Sequence, residues 1–116
     1  MSKHRGNFQL PRIESEILNI LNHTLKYVIY DEKLREVSFT YVKLDPGKTF
    51  AHIYVDTFHR ENLDKILVKL NESKGVFRRE LSQNMQLRKL PEIRFERDET
   101  IDRNDAIEAI LNQKKN

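Results

Sequence analysis

The 116-residue chain has no cysteine, which removes disulfides, thiolate metal sites and thiol nucleophiles together. The absence fits a reducing cytosol. Glycine occurs only as Gly6, Gly47 and Gly75, too few and too scattered for a P-loop or a dinucleotide-binding turn. No run approaches the ~20 apolar residues of a membrane span. The opening Met1-Ser2-Lys3-His4-Arg5-Gly6 has no apolar h-region. No signal peptide is therefore expected, and the expected location is cytoplasmic. The histidines His4, His23, His52 and His59 make no i, i+4 pair on a helix and no HExxH arrangement, so surface histidines are expected rather than a metal site. The acidic stretch from Asp98 to Asp105 lacks the glycine and the terminal glutamate of an EF-hand loop. Carboxylates there suit the positive end of a helix dipole. Serines are few, and no Ser-His-Asp set can be singled out. An enzyme reading has no residue to rest on, so neither a cofactor nor a small-molecule substrate is expected.

Hydrophobic residues make up 38% of the chain, enough for one modest core and not two. A single domain over 1–116 is expected, with its core at about 8–111 and short basic tails. Leu10, Ile13, Ile17, Ile20, Leu21 and Val28 recur at spacings of three and four, the stripe of an amphipathic helix ending near Tyr30-Asp31. Pro11 would be tolerated in its first turn. The period then falls to two. Val37, Phe39 and Tyr41 would share one face of a strand, and Ala51, Ile53 and Val55 one face of a second. Asp45-Pro46-Gly47-Lys48 between them reads as a turn, with Gly47 free to take φ > 0, so the two strands should pair as an antiparallel hairpin.

Helical spacing returns at Leu63, Ile66, Leu67 and Leu70, is interrupted at Asn71 to Gly75, and resumes at Phe77, Leu81 and Met85. Ile93 to Glu96 alternates again as a short third strand, and Thr100 could cap a last helix through Ile107, Ile110 and Leu111. The order is α-β-β-α-α-β-α. It implies an α+β fold with a three-stranded mixed sheet covered by helices on one face. Ile53, Leu67, Phe77 and Phe95 are expected to meet in its core.

The net charge of +3 says less than the placement of the charges. Between Ser73 and Leu90 the basic residues are Lys74, Arg78, Arg79, Arg88 and Lys89, and Glu80 is the only acid. With Phe77, Leu81 and Met85 turned inward, Arg79, Gln83 and Gln86 would lie outward, flanked by Arg78 and Ser82. Gly75 stands where this helix begins, and free N–H groups at a helix N-terminus favour an anion. Together these features suit a phosphate backbone. On charge pattern alone, an ordinary solvated face and a helix-capping glycine are the commoner reading of such residues.

The residues also resemble a known family. Val37 to Leu44, Ala51-His52-Ile53-Tyr54-Val55, Leu70 to Arg78, and Leu87-Arg88-Lys89-Leu90-Pro91-Glu92-Ile93-Arg94-Phe95-Glu96-Arg97-Asp98 are similar to ribosome-binding factor A over nearly the whole chain. The last segment is the most specific. The resemblance implies a type II KH-like fold, with which the periodicity-derived order agrees. KH domains clamp nucleic-acid backbone with a GxxG loop between two helices; this family replaces it with a kinked Ala-x-Gly, here Ser73-Lys74-Gly75. The serine hydroxyl could cap the following helix or touch a phosphate. A second departure is Asp31-Glu32, where the family commonly has Asp-Pro.

The resemblance further implies a non-catalytic factor, monomeric when free, that binds 16S rRNA and the 30S subunit. It would promote late maturation and rRNA processing and be associated with cold adaptation. The RNA-binding residues would be Ser73, Lys74, Gly75, Arg78, Arg79, Arg88 and Lys89, with Arg5 and Arg12 as secondary candidates. A KH-like domain serving another RNA and a protein-interaction adaptor using its sheet are the alternatives.

Overall fold

A computed structural model of the chain describes the backbone of residues 2–98 and the side chains from Leu10 to Asp98. The helix expected from Thr100 lies outside the described residues. The elements are α1 (Ser2–Tyr27), a 3₁₀ turn (Glu32–Leu34), β1 (Val37–Leu44), β2 (Phe50–Thr57), a second 3₁₀ turn (Arg60–Asn62), α2 (Leu63–Glu72), α3 (Lys74–Asn84) and β3 (Glu92–Arg97). The expected α-β-β-α-α-β order is the one observed. Pro11, however, sits inside α1 and not in its first turn. Lacking an N–H, it withholds one bond from the ladder of that helix.

The sheet runs in the order β1-β2-β3, with β1 antiparallel and β3 parallel to the central β2. One face is apolar: Val37, Phe39, Val42, Leu44, Ala51, Ile53, Val55, Ile93 and Phe95 are all buried. Ile17, Leu21 and Leu25 of α1, Leu34 of the first 3₁₀ turn, Leu63, Ile66 and Leu70 of α2, Phe77 and Leu81 of α3, and Met85 just after it complete the core. Leu67 only lines its margin. At the centre three phenylalanine rings meet. Phe39 and Phe95 stack with centroids 5.5 Å apart, and Phe77 meets them edge-on at 5.6 and 5.2 Å. These distances lie in the attractive range for aromatic pairs.

Strict alternation along β1 fails at one point. The register with β2 shifts between Phe39 and Tyr41, leaving Thr40 as an extra residue. Such a bulge turns every later side chain to the other face. Tyr41 is therefore exposed rather than sharing a face with Phe39, and Val42 and Leu44 are buried in its stead. Tyr41 instead stacks on Tyr54 at 5.6 Å on the open face of the sheet. On the same face His52 Nδ1 lies 2.7 Å from Glu96 Oε2, and the Arg94 guanidinium sits 4.1 Å above the Phe50 ring.

The turn after β1 also differs from expectation. Gly47 does not have positive φ; Lys48 does, at 57°. The Lys48 N–H donates to the Asp45 carbonyl at 2.9 Å, and the Phe50 N–H donates to Asp45 Oδ1 at 2.6 Å. The Phe50 bond, the foremost cause, holds the Asp45 carboxyl below its ordinary value.

α1 is tied to the outer edge of β1 by polar groups as well as by its apolar stripe. The Asn22 side chain donates to the Phe39 carbonyl and accepts from the Phe39 N–H, both at 3.0 Å. Glu14 Oε2 accepts from the Leu44 N–H at 2.7 Å. These bonds occupy backbone groups that an edge strand otherwise leaves open to another chain.

Two outcomes follow for stability. Phe95→Ala removes one ring of the central cluster and is expected to cost roughly 3–5 kcal/mol in urea unfolding. Asn22→Ala leaves a part-buried N–H and C=O unpaired and is expected to cost about 1–3 kcal/mol. Wild-type stability for Asn22→Ala would show that water replaces the amide without penalty.

Candidate nucleic-acid interface

α2 and α3 are joined through one residue. Ser73 (φ −96°, ψ 8°) ends the first helix and begins the second. Its N–H donates back to the carbonyls of Lys69 and Leu70 at 3.1 and 3.0 Å, and its carbonyl accepts from Val76 and Phe77 at 3.0 and 3.5 Å. The Ser73 hydroxyl makes no capping bond, so the capping role considered from the sequence is not observed. Lys74 and Gly75 occupy the first turn of α3, where a helix offers its own N–H groups no acceptor.

Gly75 lies in the first turn of α3, is exposed, and does not have positive φ. A Cβ built on it would meet nothing within 4 Å. Neither backbone conformation nor internal packing therefore calls for glycine here. What glycine leaves is open space over the helix N-terminus.

That space belongs to a surface groove of about 410 Å³, lined by Thr49, Lys74, Gly75, Arg78, Lys89, Leu90, Glu92 and Ile93. Four of the residues singled out by sequence, Lys74, Gly75, Arg78 and Lys89, are thus brought together. Lys74 and Arg78 are one helical turn apart on α3, and Lys89 arrives from the segment leading into β3. Three cations face one carboxylate, Glu92, beside a helix N-terminus. The combined field favours an extended anion.

Ser73, Arg79 and Arg88 do not line the groove; Arg79 and Arg88 are exposed near it in sequence, and Ser73 is half-buried. Arg12 is not part of it either. It lines a separate depression with Asn84, Met85 and Gln86, at the far end of α3, and lies 3.9 Å from Glu16. Arg5 falls among the residues whose side chains are not described.

Sequence reading missed Thr49 and Glu92. The Glu92 N–H donates to the Thr49 carbonyl at 2.8 Å, extending the parallel pairing in which Phe50 stands opposite Glu92. That long-range pairing brings the hairpin turn to the groove, and no local pattern announces it. Among the described residues no three His, Asp or Glu side chains gather as a metal ion would require, and no helix is long and apolar enough to cross a membrane.

The family model described as ribosome-binding factor A matches residues 9–111. Ribosome-binding factor A of Malacoplasma penetrans (strain HF-2) is 37% identical over 113 residues, 97% of each chain. The crystal structure of ribosome-binding factor A from Thermus thermophilus superposes with a TM-score of 0.69 at 19% identity, covering 76% of this chain and 93% of that one. A homology model of the Thermus thermophilus factor, fitted into a cryo-EM map of a complex of that factor with 30S, superposes with a TM-score of 0.62 at 20% identity. It covers 73% of this chain and 90% of that one. The fold is common to all of these structures.

The open space at Gly75 fixes the sign of one substitution. Gly75→Ala is expected to leave the fold intact and to raise stability slightly, by up to ~1 kcal/mol, because alanine is the better helix former. Urea unfolding checks this. A clear loss of stability would mean that the backbone here needs glycine after all.

Proposed function

This chain belongs to the ribosome-binding factor A family, and we propose that it is a non-enzymatic assembly factor that binds the 30S subunit through 16S rRNA. In this reading it acts in the cytoplasm as a single domain, monomeric when free, and promotes late maturation and rRNA processing. It needs no cofactor, and its loss is felt most in the cold, when misfolded RNA escapes its traps slowly. The observation that carries the proposal is the groove at the start of α3. It gathers Lys74, Gly75, Arg78 and Lys89 at the place where the family's Ala-x-Gly stands in for the backbone-clamping loop of KH domains. The complex of the Thermus thermophilus factor with 30S supports the choice of subunit.

In mechanism, the Lys74 and Gly75 N–H groups and the nearby cations would meet phosphate oxygens. The missing side chain at Gly75 would let the RNA backbone approach the helix end. Ser73, Arg79 and Arg88 would contribute from the margins of the groove. Such contacts release counterions, so binding should weaken steeply with salt. They position an RNA without reading its sequence, and specificity would then come from the shape of the rRNA.

The test is co-sedimentation with purified small and large subunits over a salt series. Wild type is expected with small subunits only. Arg78→Ala with Arg79→Ala should weaken association and flatten the slope of log K against log salt by about 0.7–0.9 per lost phosphate contact, with no change in melting temperature. Gly75→Asp should lose association while remaining folded, since its charge repels phosphate yet suits a helix N-terminus. If Lys114→Ala with Lys115→Ala has an equal effect, net charge alone is responsible and the groove is not the site. A Gly75→Asp protein that sediments as wild type does would exclude the helix end as a contact.

A further inference from the structure

The opposite end of the sheet carries a second depression, of about 560 Å³, where α1 ends and β1 begins. The α3 groove adjoins the turn at the far end of β1, a strand of 8 residues, so the two lie about 25 Å apart. Leu25, Ile29 and Leu34 give the second depression an apolar floor. Lys26 and Arg35 stand exposed on its rim, and no carboxylate lines it. Tyr30 shares that rim with 92% of its surface open to water.

The neighbouring acids are engaged elsewhere. Asp31 Oδ2 accepts from Lys69 at 2.9 Å, Glu36 faces His59 at 3.7 Å, and Glu32 lines a different depression. Lys26 lies 5.3 Å from the centre of the Tyr27 ring. Among the described residues neither Lys26 nor Arg35 has an ion-pair partner.

An uncovered phenol, an apolar floor and two unneutralised cations match one ligand chemistry in particular, an aromatic base linked to phosphates. We infer that this depression is a second RNA contact, in which an unpaired base stacks on Tyr30 while Lys26 and Arg35 meet the adjoining phosphates. The inference rests on the RNA reading of the α3 groove and adds to it a second point of attachment. Two contacts this far apart can be joined by one RNA that places an unpaired nucleotide at the depression and its backbone at α3. A duplex end would satisfy only one of them.

The test uses the full chain, a short mixed-sequence single-stranded oligoribonucleotide read by fluorescence anisotropy, and purified small subunits. Tyr30→Ala is expected to weaken oligoribonucleotide binding about tenfold, the scale of one lost base–aromatic stack. Tyr30→Phe should recover most of that loss, since the ring and not the hydroxyl stacks. Lys26→Gln with Arg35→Gln should flatten the salt slope by about 1.4, two single-strand phosphates. All three variants should melt as wild type does, because these side chains are exposed. Wild-type oligoribonucleotide binding by Tyr30→Ala, alongside a loss in Arg78→Ala with Arg79→Ala, would overturn the second contact and leave the α3 groove standing. Weakened subunit association with unchanged oligoribonucleotide binding would assign the depression to a ribosomal protein, which also overturns it. Failure of the wild-type chain to bind the oligoribonucleotide at any salt would remove the RNA reading itself.

Discussion

The meeting of Phe39, Phe77 and Phe95 determines where everything else in this domain can go. Phe39 and Phe95 come from the two outer strands, and Phe77 is the only one of the three on a helix. Its ring, fully buried, pins α3 to the sheet one turn from the start of that helix. The backbone of Lys74 and Gly75 is therefore anchored to the core beneath it. A groove whose backbone is held this way would lose little backbone entropy on engaging a ligand. The cations supply attraction, and the aromatic cluster supplies their geometry.

Polar bonding has the comparable role at the outer edge of the sheet. α1 could slide along β1 if apolar contact alone held it, because hydrophobic burial has no direction. The paired bonds from Asn22 to the Phe39 backbone, and the bond from Glu14 to the Leu44 N–H, fix its position along the strand. They also close the edge against pairing with another chain. One set of side chains thus orients the first helix and protects the sheet.

Much of this was legible in the sequence, and the exceptions have a common cause. Spacings of three and four marked α1, α2 and α3, and alternation marked the three strands, because those periods follow from the backbone geometry of each element. The bulge at Thr40 was hidden since Phe39-Thr40-Tyr41 fits perfect alternation; only the pairing with β2 reveals the extra residue. Gly47 looked like the left-handed position of its turn, but the Asp45 bonds place that conformation at Lys48. Gly75 reads in the sequence as the cap between two helices and is an ordinary helical residue with open space where a side chain would stand. The basic residues of the groove were visible one by one. Thr49 and Glu92, which join them there, were not, because they are neighbours only through the parallel β2–β3 pairing.

That pairing also sets an order in time. β1 and β2 are joined by a short turn and can form as a local hairpin, whereas the His52–Glu96 contact of β2 with β3 closes over a separation of 44 positions. Non-local closures of this kind are slow, since the loop must be ordered before the contacts reward it. During synthesis β2 is made long before β3, and the hairpin waits with its central strand unpaired on one side. The wall of the groove formed by Lys89, Leu90, Glu92 and Ile93 exists only once β3 has been translated and has docked. The nascent chain therefore carries its basic helix before the groove beside that helix has its second wall, and the groove is among the last features of the domain to be completed.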